Sequence, residues 1–251
     1  MFWRDLQRWR GVVLVALASV AIVVFAASGQ LVLYIHPRYI VFTIAMVAVA
    51  LVLVAASVLL ARRRDPDDDE SRGRMARMLS MLGLGIATVL AVAMVLLPPA
   101  TLSSVTAGQR DLNGSALGSS GAQLDDAAAA PTAAFASFTV LDWASLLRQT
   151  RDLEFYGDKP VDVVGFIVAD PADPENVFYV SRFFVTCCAV DAQPAGVPVY
   201  FPGWSTSFSA DDWVRVTGRF DSNPSSASTD PLAVIPDSVD ATEQPREPYL
   251  F

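Results

Sequence analysis

The hydrophobic pattern of the chain changes near residue 98. Before that point apolar residues come in long unbroken runs; after residue 137 they come in short, often alternating stretches. The first run covers Gly11 to Ile35, softened by Ser28, Gly29 and Gln30. The second covers Ile40 to Ala61, and the third covers Met78 to Leu97, where Pro98-Pro99 stops it. None of the three contains Asp, Glu, Lys or Arg. Each reaches the roughly 20 residues that cross a hydrocarbon core. Backbone polar groups in lipid must pair within their own segment, so the pattern predicts a membrane α domain of three transmembrane helices over residues 1–97.

Residues 98–137 are rich in Ala, Ser, Thr and Gly, and Asn113-Gly114-Ser115-Ala116-Leu117-Gly118-Ser119-Ser120-Gly121 has no amphipathic period. This composition predicts a flexible tether. From residue 138 to 251 the pattern is that of a mainly-β domain with one short helix. Asp142 to Arg148 sets Trp143, Leu146 and Leu147 at helical spacing, with Asp142 as the cap. Strands are predicted at Val161–Val168, Val177–Val190, Val197–Phe201, Trp213–Phe220 and Leu232–Ile235, divided by Gly, Pro and Asp turns. Gly165 and Gly218, inside strands, predict bulges or close backbone approach. Five short strands of this kind fit an OB-like small barrel.

Charge orients these parts. Arg4, Arg8 and Arg10 precede the first run, and Arg62, Arg63, Arg64, Arg72, Arg74 and Arg77 separate the second from the third; only Arg38 lies between the first two. Lys and Arg accumulate on the cytoplasmic side, and acidic residues such as Asp65 to Glu70 count for little. The expectation is a multi-pass cell-membrane protein with a cytoplasmic N-terminus and an extracytoplasmic C-terminal domain. A cleaved signal peptide ending near Ala26-Ala27-Ser28 is the competing reading of the first run, and it leaves that domain on the same side. Residues 1–100 carry 10 Lys/Arg and 6 Asp/Glu, the remainder 8 and 20, within a net charge of −8. So acidic a second half argues against a nucleic-acid partner, which needs a basic face. Spans without ionisable groups also make a poor ion pathway by themselves.

The candidate chemistry is narrow. Cys187 and Cys188 are the two cysteines of the chain, Asp191 follows them, and His36 is the single histidine. Neighbouring strand residues face opposite sides, so the two thiols share a ligand only where the strand bulges or ends. Four readings fit: buried structural cysteines, a metal site with Asp191, a strained vicinal disulfide, or a nucleophile. His36 reads as a solvated or capping residue or as a further metal ligand on the outer face. P-loop, GxGxxG, HExxH and GxSxG motifs are absent, and the expectation is a protein that is not an enzyme.

The run Arg182-Phe183-Phe184-Val185-Thr186-Cys187-Cys188-Ala189-Val190-Asp191-Ala192, followed by Pro194 and Gly196, resembles the YcgQ-like family of permease subunits. So do Tyr34-Ile35-His36-Pro37-Arg38, Gly165-Phe166-Ile167 and the closing Pro248-Tyr249-Leu250-Phe251, although Phe251 stands where that family leads one to expect Tyr. The resemblance implies an accessory subunit of a two-component membrane permease, with a larger polytopic permease as partner. It also implies a link to metal homeostasis, zinc in particular, and so favours Cys187, Cys188 and Asp191 as metal ligands, with His36 a further candidate from its place on the outer face. The alternatives are a stand-alone envelope protein-interaction module with structural cysteines, or an extracytoplasmic thiol-redox protein.

Overall fold

Helix α1, Phe2–Ala27, and helix α2, Ile40–Ala61, form where the first two apolar runs stand, and they pack on each other. Gly29, at φ +73°, begins the reversal between them. The chain then takes two 3-10 turns, Gln30–Leu33 and Pro37–Tyr39. The apolar surface of α2 is left outward: Val41 is 77 % exposed and Val52 67 %. Pro37–Ser57, 21 residues, is the one span among the described residues long and apolar enough to cross a membrane; the apolar part of α1, Gly11–Ala27, is shorter. The computed structural model describes residues 2–61, 82–83, 85–86, 88–89, 92–93, 101–114, 117 and 121–251. The third apolar run is therefore helical at the eight positions described, while its remainder and the arginines from Arg62 to Arg77 lie outside the described residues.

The chain divides into two units, Met1–Ala100 and Thr101–Phe251. In the second, β1 (Pro160–Ala169), β2 (Val177–Phe184), β3 (Gln193–Tyr200), β4 (Trp213–Ser222) and β5 (Leu232–Ala241) close into a barrel in the order β1-β2-β3-β5-β4. Every pairing is antiparallel except β3 with β5, which meet in parallel at Val199 and Val234. Alternation decides which side chains turn inward. On β4, Val214 and Val216 are fully buried while Arg215 and Thr217 are not.

Three strand limits differ most from the sequence reading. β2 stops at Phe184, not Val190, because the Val185 N–H is taken by the Leu250 carbonyl and the next three N–H groups turn to the Asp191 side chain. β3 starts at Gln193, although Pro194 and Gly196 look like turn residues; pairing with β2 overrides local preference. β5 runs past Pro236 to Ala241 because β4 offers it a full-length partner. Gly218 sits at a register shift between β4 and β5, and a Cβ there would stand 2.4 Å from the Ile235 carbonyl oxygen. At Gly165 a Cβ would stand 2.5 Å from the Ser181 carbonyl oxygen. Both glycines are thus required by close approach.

Helix α3, Val140–Gln149, packs against the barrel through buried Val140, Trp143, Ala144 and Leu146. Trp143 lies 5.3 Å from the Phe220 ring and 5.6 Å from that of Phe135. The helix begins two residues before the position read as its cap. Thr139 is the N-cap and accepts from the Asp142 N–H, while the Asp142 carboxylate accepts from the Thr139 N–H at 2.8 Å. This reciprocal box places Asp142 in the first turn.

The stretch read as a tether is built into this unit from Thr101 onward. Leu102 donates its N–H to the Tyr249 hydroxyl at 3.1 Å, and Ser104 Oγ donates to Asp211 at 2.8 Å. Asn113 brackets the Gly196 peptide, accepting from its N–H and donating to its carbonyl, both at 2.8 Å. Leu117 and Phe135 are buried in the core. Scattered apolar residues anchor this segment without a periodic signal; Gly118, Ser119 and Ser120 lie outside the described residues.

Candidate metal centre

The β2–β3 connection is where the cysteines stand. After Phe184 the chain leaves the ladder, passes Thr186, Cys187 and Cys188, and makes a 3-10 turn at Ala189–Asp191 before β3. Leaving the strand frees the two adjacent thiols from pointing to opposite faces. Cys187 is exposed, Cys188 partly buried, and neither is in a disulfide.

Asp191 organises the loop. One carboxylate oxygen, Oδ2, accepts from the Cys187 N–H at 2.8 Å and from the Cys188 N–H at 3.3 Å; Oδ1 accepts from the Thr186 N–H at 3.2 Å. Its own N–H donates to the Cys188 carbonyl at 2.9 Å. Consecutive backbone N–H groups that converge on an anion form a concave nest, here filled by the protein's own side chain. The two Sγ atoms and a carboxylate oxygen all lie within 4.8 Å of one another. Among the described residues this is the one such group of His, Cys, Asp or Glu.

Two arginines tie neighbouring segments, one at the loop and one at the strand that leads to it. Arg110 donates to the carbonyls of Ala192 and Val190, the latter at 3.4 Å. Arg182, on β2, donates through Nε to the Pro248 carbonyl at 3.0 Å and through Nη2 to those of Glu247 and Tyr249. Leu250 completes the junction, its N–H bonded to Phe183 O at 2.8 Å. Burial lowers the Arg182 pKa from its ordinary value, and the Glu247 carboxylate opposes that shift. The closing Pro248-Tyr249-Leu250 segment and the strand that leads to the cysteines, far apart in sequence, are thus one structure.

Of the four residues singled out in the sequence, three come together. His36 lies in the first unit, where it is the N-cap of Pro37–Tyr39 and its Nδ1 accepts from the Arg38 N–H at 3.1 Å. Arg110 was missed. Its signal was available: Arg110 and Asp111 are the only charged residues between Pro98 and Leu124.

Chemically, two sulfurs and a carboxylate can hold a thiophilic cation such as zinc. Comparison with known proteins adds the following. A model described as the DUF1980 N-terminal domain matches residues 9–113, and one described as the DUF1980 C-terminal domain matches residues 136–251. No curated protein and no solved structure matches the chain.

Proposed function

Since the chain belongs to the DUF1980 family, carrying both of its domains in order, we propose that it is the membrane-anchored accessory subunit of a two-component permease, and that its barrel domain binds a metal ion, zinc foremost, beyond the membrane. The observation that carries the metal reading is the convergence of Cys187, Cys188 and Asp191 within 4.8 Å on one loop. The strand order β1-β2-β3-β5-β4 supports an OB-like barrel as the scaffold. The uncharged apolar runs support an anchoring role rather than a transport path, and the YcgQ-like residues support a larger polytopic permease as partner. The arginine distribution supports three spans with the barrel outside.

The test is metal content of the purified full-length protein, wild type beside the Cys187→Ser/Cys188→Ser double variant. We expect about one zinc per wild-type chain and near-zero in the variant, because thiolates dominate such a shell. Equal, near-zero zinc in both overturns the metal reading. Co-purification in mild detergent with a co-expressed permease tests the subunit reading; a chain that elutes alone overturns it.

A further inference from the structure

Apart from the metal reading, we infer that the barrel unit holds a second binding site: a cavity between the end of α3 and the start of β5 that takes a small free α-amino acid, its carboxylate on Arg148 and Arg151 and its ammonium on Asp230. The cavity measures about 160 Å³, and three stretches of chain meet at it. Arg148 stands in the last turn of α3 and Arg151 just beyond the helix end. Asp230 stands just before β5, and Asn113 comes from the stretch that follows Thr101. Two cations in one cavity run against the charge of this half of the chain. Residues 101–251 hold 8 Lys/Arg against 20 Asp/Glu, and two of those basic residues line this one space.

The opposite charges around the cavity do not close on each other. The Arg151 charge acts on Asp230, yet among the described residues Arg151 forms no hydrogen bond or ion pair. Arg148 gives one bond, to the Asn113 carbonyl, and a guanidinium has further N–H groups to give. On the other wall, Asp230 Oδ2 accepts from the Tyr179 hydroxyl at 2.5 Å, and Oδ1 has no donor among the described residues. Asp170, whose Oδ2 is buried without a hydrogen-bond partner, adds its negative charge on that side. A ligand of a single charge would answer one wall and be repelled by the other. An α-amino acid carries both charges on one carbon. Its planar carboxylate matches the donor fork of a guanidinium, and its ammonium supplies what the Asp230 carboxylate lacks. Leu147 and Leu232 line the remaining space and suit a short aliphatic side chain. A cavity of about this volume holds a benzene-sized molecule, roughly the size of alanine. Arg148 and Arg151 are exposed, so the ligand can enter from solvent.

The experiment titrates L-alanine into the full-length protein in detergent by calorimetry at neutral pH, with propionate, ethylamine and L-phenylalanine as comparisons. We expect one saturable site per chain with a dissociation constant below about 1 mM, a strength within reach of so small a ligand. Propionate and ethylamine each lack one of the two charges, and phenylalanine exceeds the cavity; each binds at least about 10-fold more weakly. Arg151→Gln and Asp230→Asn each weaken alanine by at least about 10-fold, as loss of a charged hydrogen-bond partner does. Arg151 is exposed and makes no hydrogen bond or ion pair among the described residues, so its variant keeps the melting temperature of the unliganded protein, which assigns the loss to the site. Treatment with a metal chelator leaves the alanine affinity unchanged, so failure of the metal reading is distinguishable from failure of this one. The inference is overturned if alanine, with glycine and L-serine tried in its place, shows no saturable binding, if any of the three comparison compounds matches alanine, or if either variant binds alanine like the wild type.

Discussion

Asp230 is a carboxylate whose surroundings oppose its charge. Burial raises its pKa above the ordinary carboxylate range, and the charge of Asp170, a residue only 1 % exposed, adds to the rise; the Tyr179 hydroxyl, which donates to it at 2.5 Å, and the Arg151 charge oppose it. The folded state therefore holds this proton more tightly than the unfolded chain does. Its contribution to stability is complete below the unfolded pKa of about 3.9, and is lost as pH rises through the folded value. Asp230→Asn keeps an acceptor for Tyr179 without the charge. We expect its melting temperature to decline less than that of the wild type as pH rises from about 4 to 7, measured by thermal unfolding. Parallel curves for the two proteins would refute the assignment. Nothing in the sequence marks Asp230, because its neighbours Tyr179 and Asp170 lie on and before another strand.

Helix α3 shows what an element owes to its own residues and what it owes to packing. The apolar spacing of Trp143, Leu146 and Leu147 is legible as helix. Its start is less so, because Asp142 and Thr139 are both capable caps. Only the geometry of their reciprocal bonds selects Thr139. Thr139→Ala removes the side chain that accepts from Asp142 N–H, and we expect a loss of about 1 kcal/mol in chemical unfolding of the protein. An unchanged midpoint would return the cap to Asp142. The strands follow the same division. Val161–Val168 and Trp213–Phe220 are legible from β-branched and alternating residues. The extension of β5 through Pro236-Asp237-Ser238 is not, since those residues hold strand conformation only against β4. At the β2–β3 loop the sequence reading already required the strand to break if both thiols were to serve one ligand. The break is real, and its cause is a side chain, Asp191, that satisfies backbone groups the ladder would otherwise have paired.

For the whole molecule the prediction is topological. A reporter active only outside the cytosol, fused after Phe251, should be active, and a cytosol-dependent reporter at the same position silent, because the arginines flank the first and third apolar runs. The reverse pattern would invert the topology and remove the outer-domain reading. Two units were legible from the change in hydrophobic pattern near residue 98, but the place of residues 101–137 in the second was not. The residues after Thr101 lack periodicity, and they join the barrel through single anchors: Leu102 on Tyr249, Asn113 on Gly196, Arg110 on the loop of the cysteines. The sequence by itself determined the apolar helices, the β-rich character of the second half and the identity of the thiols, because hydrophobic period and residue chemistry are local properties. Tertiary structure alone decided that Cys187, Cys188 and Asp191 share one loop geometry, and that Arg110 and the closing Pro248–Leu250 segment support it. The bonds of Asp191 within the loop are local, but the supporting contacts from Arg110 and Leu250 join residues tens of positions apart, and only the closed barrel brings those backbone groups within reach.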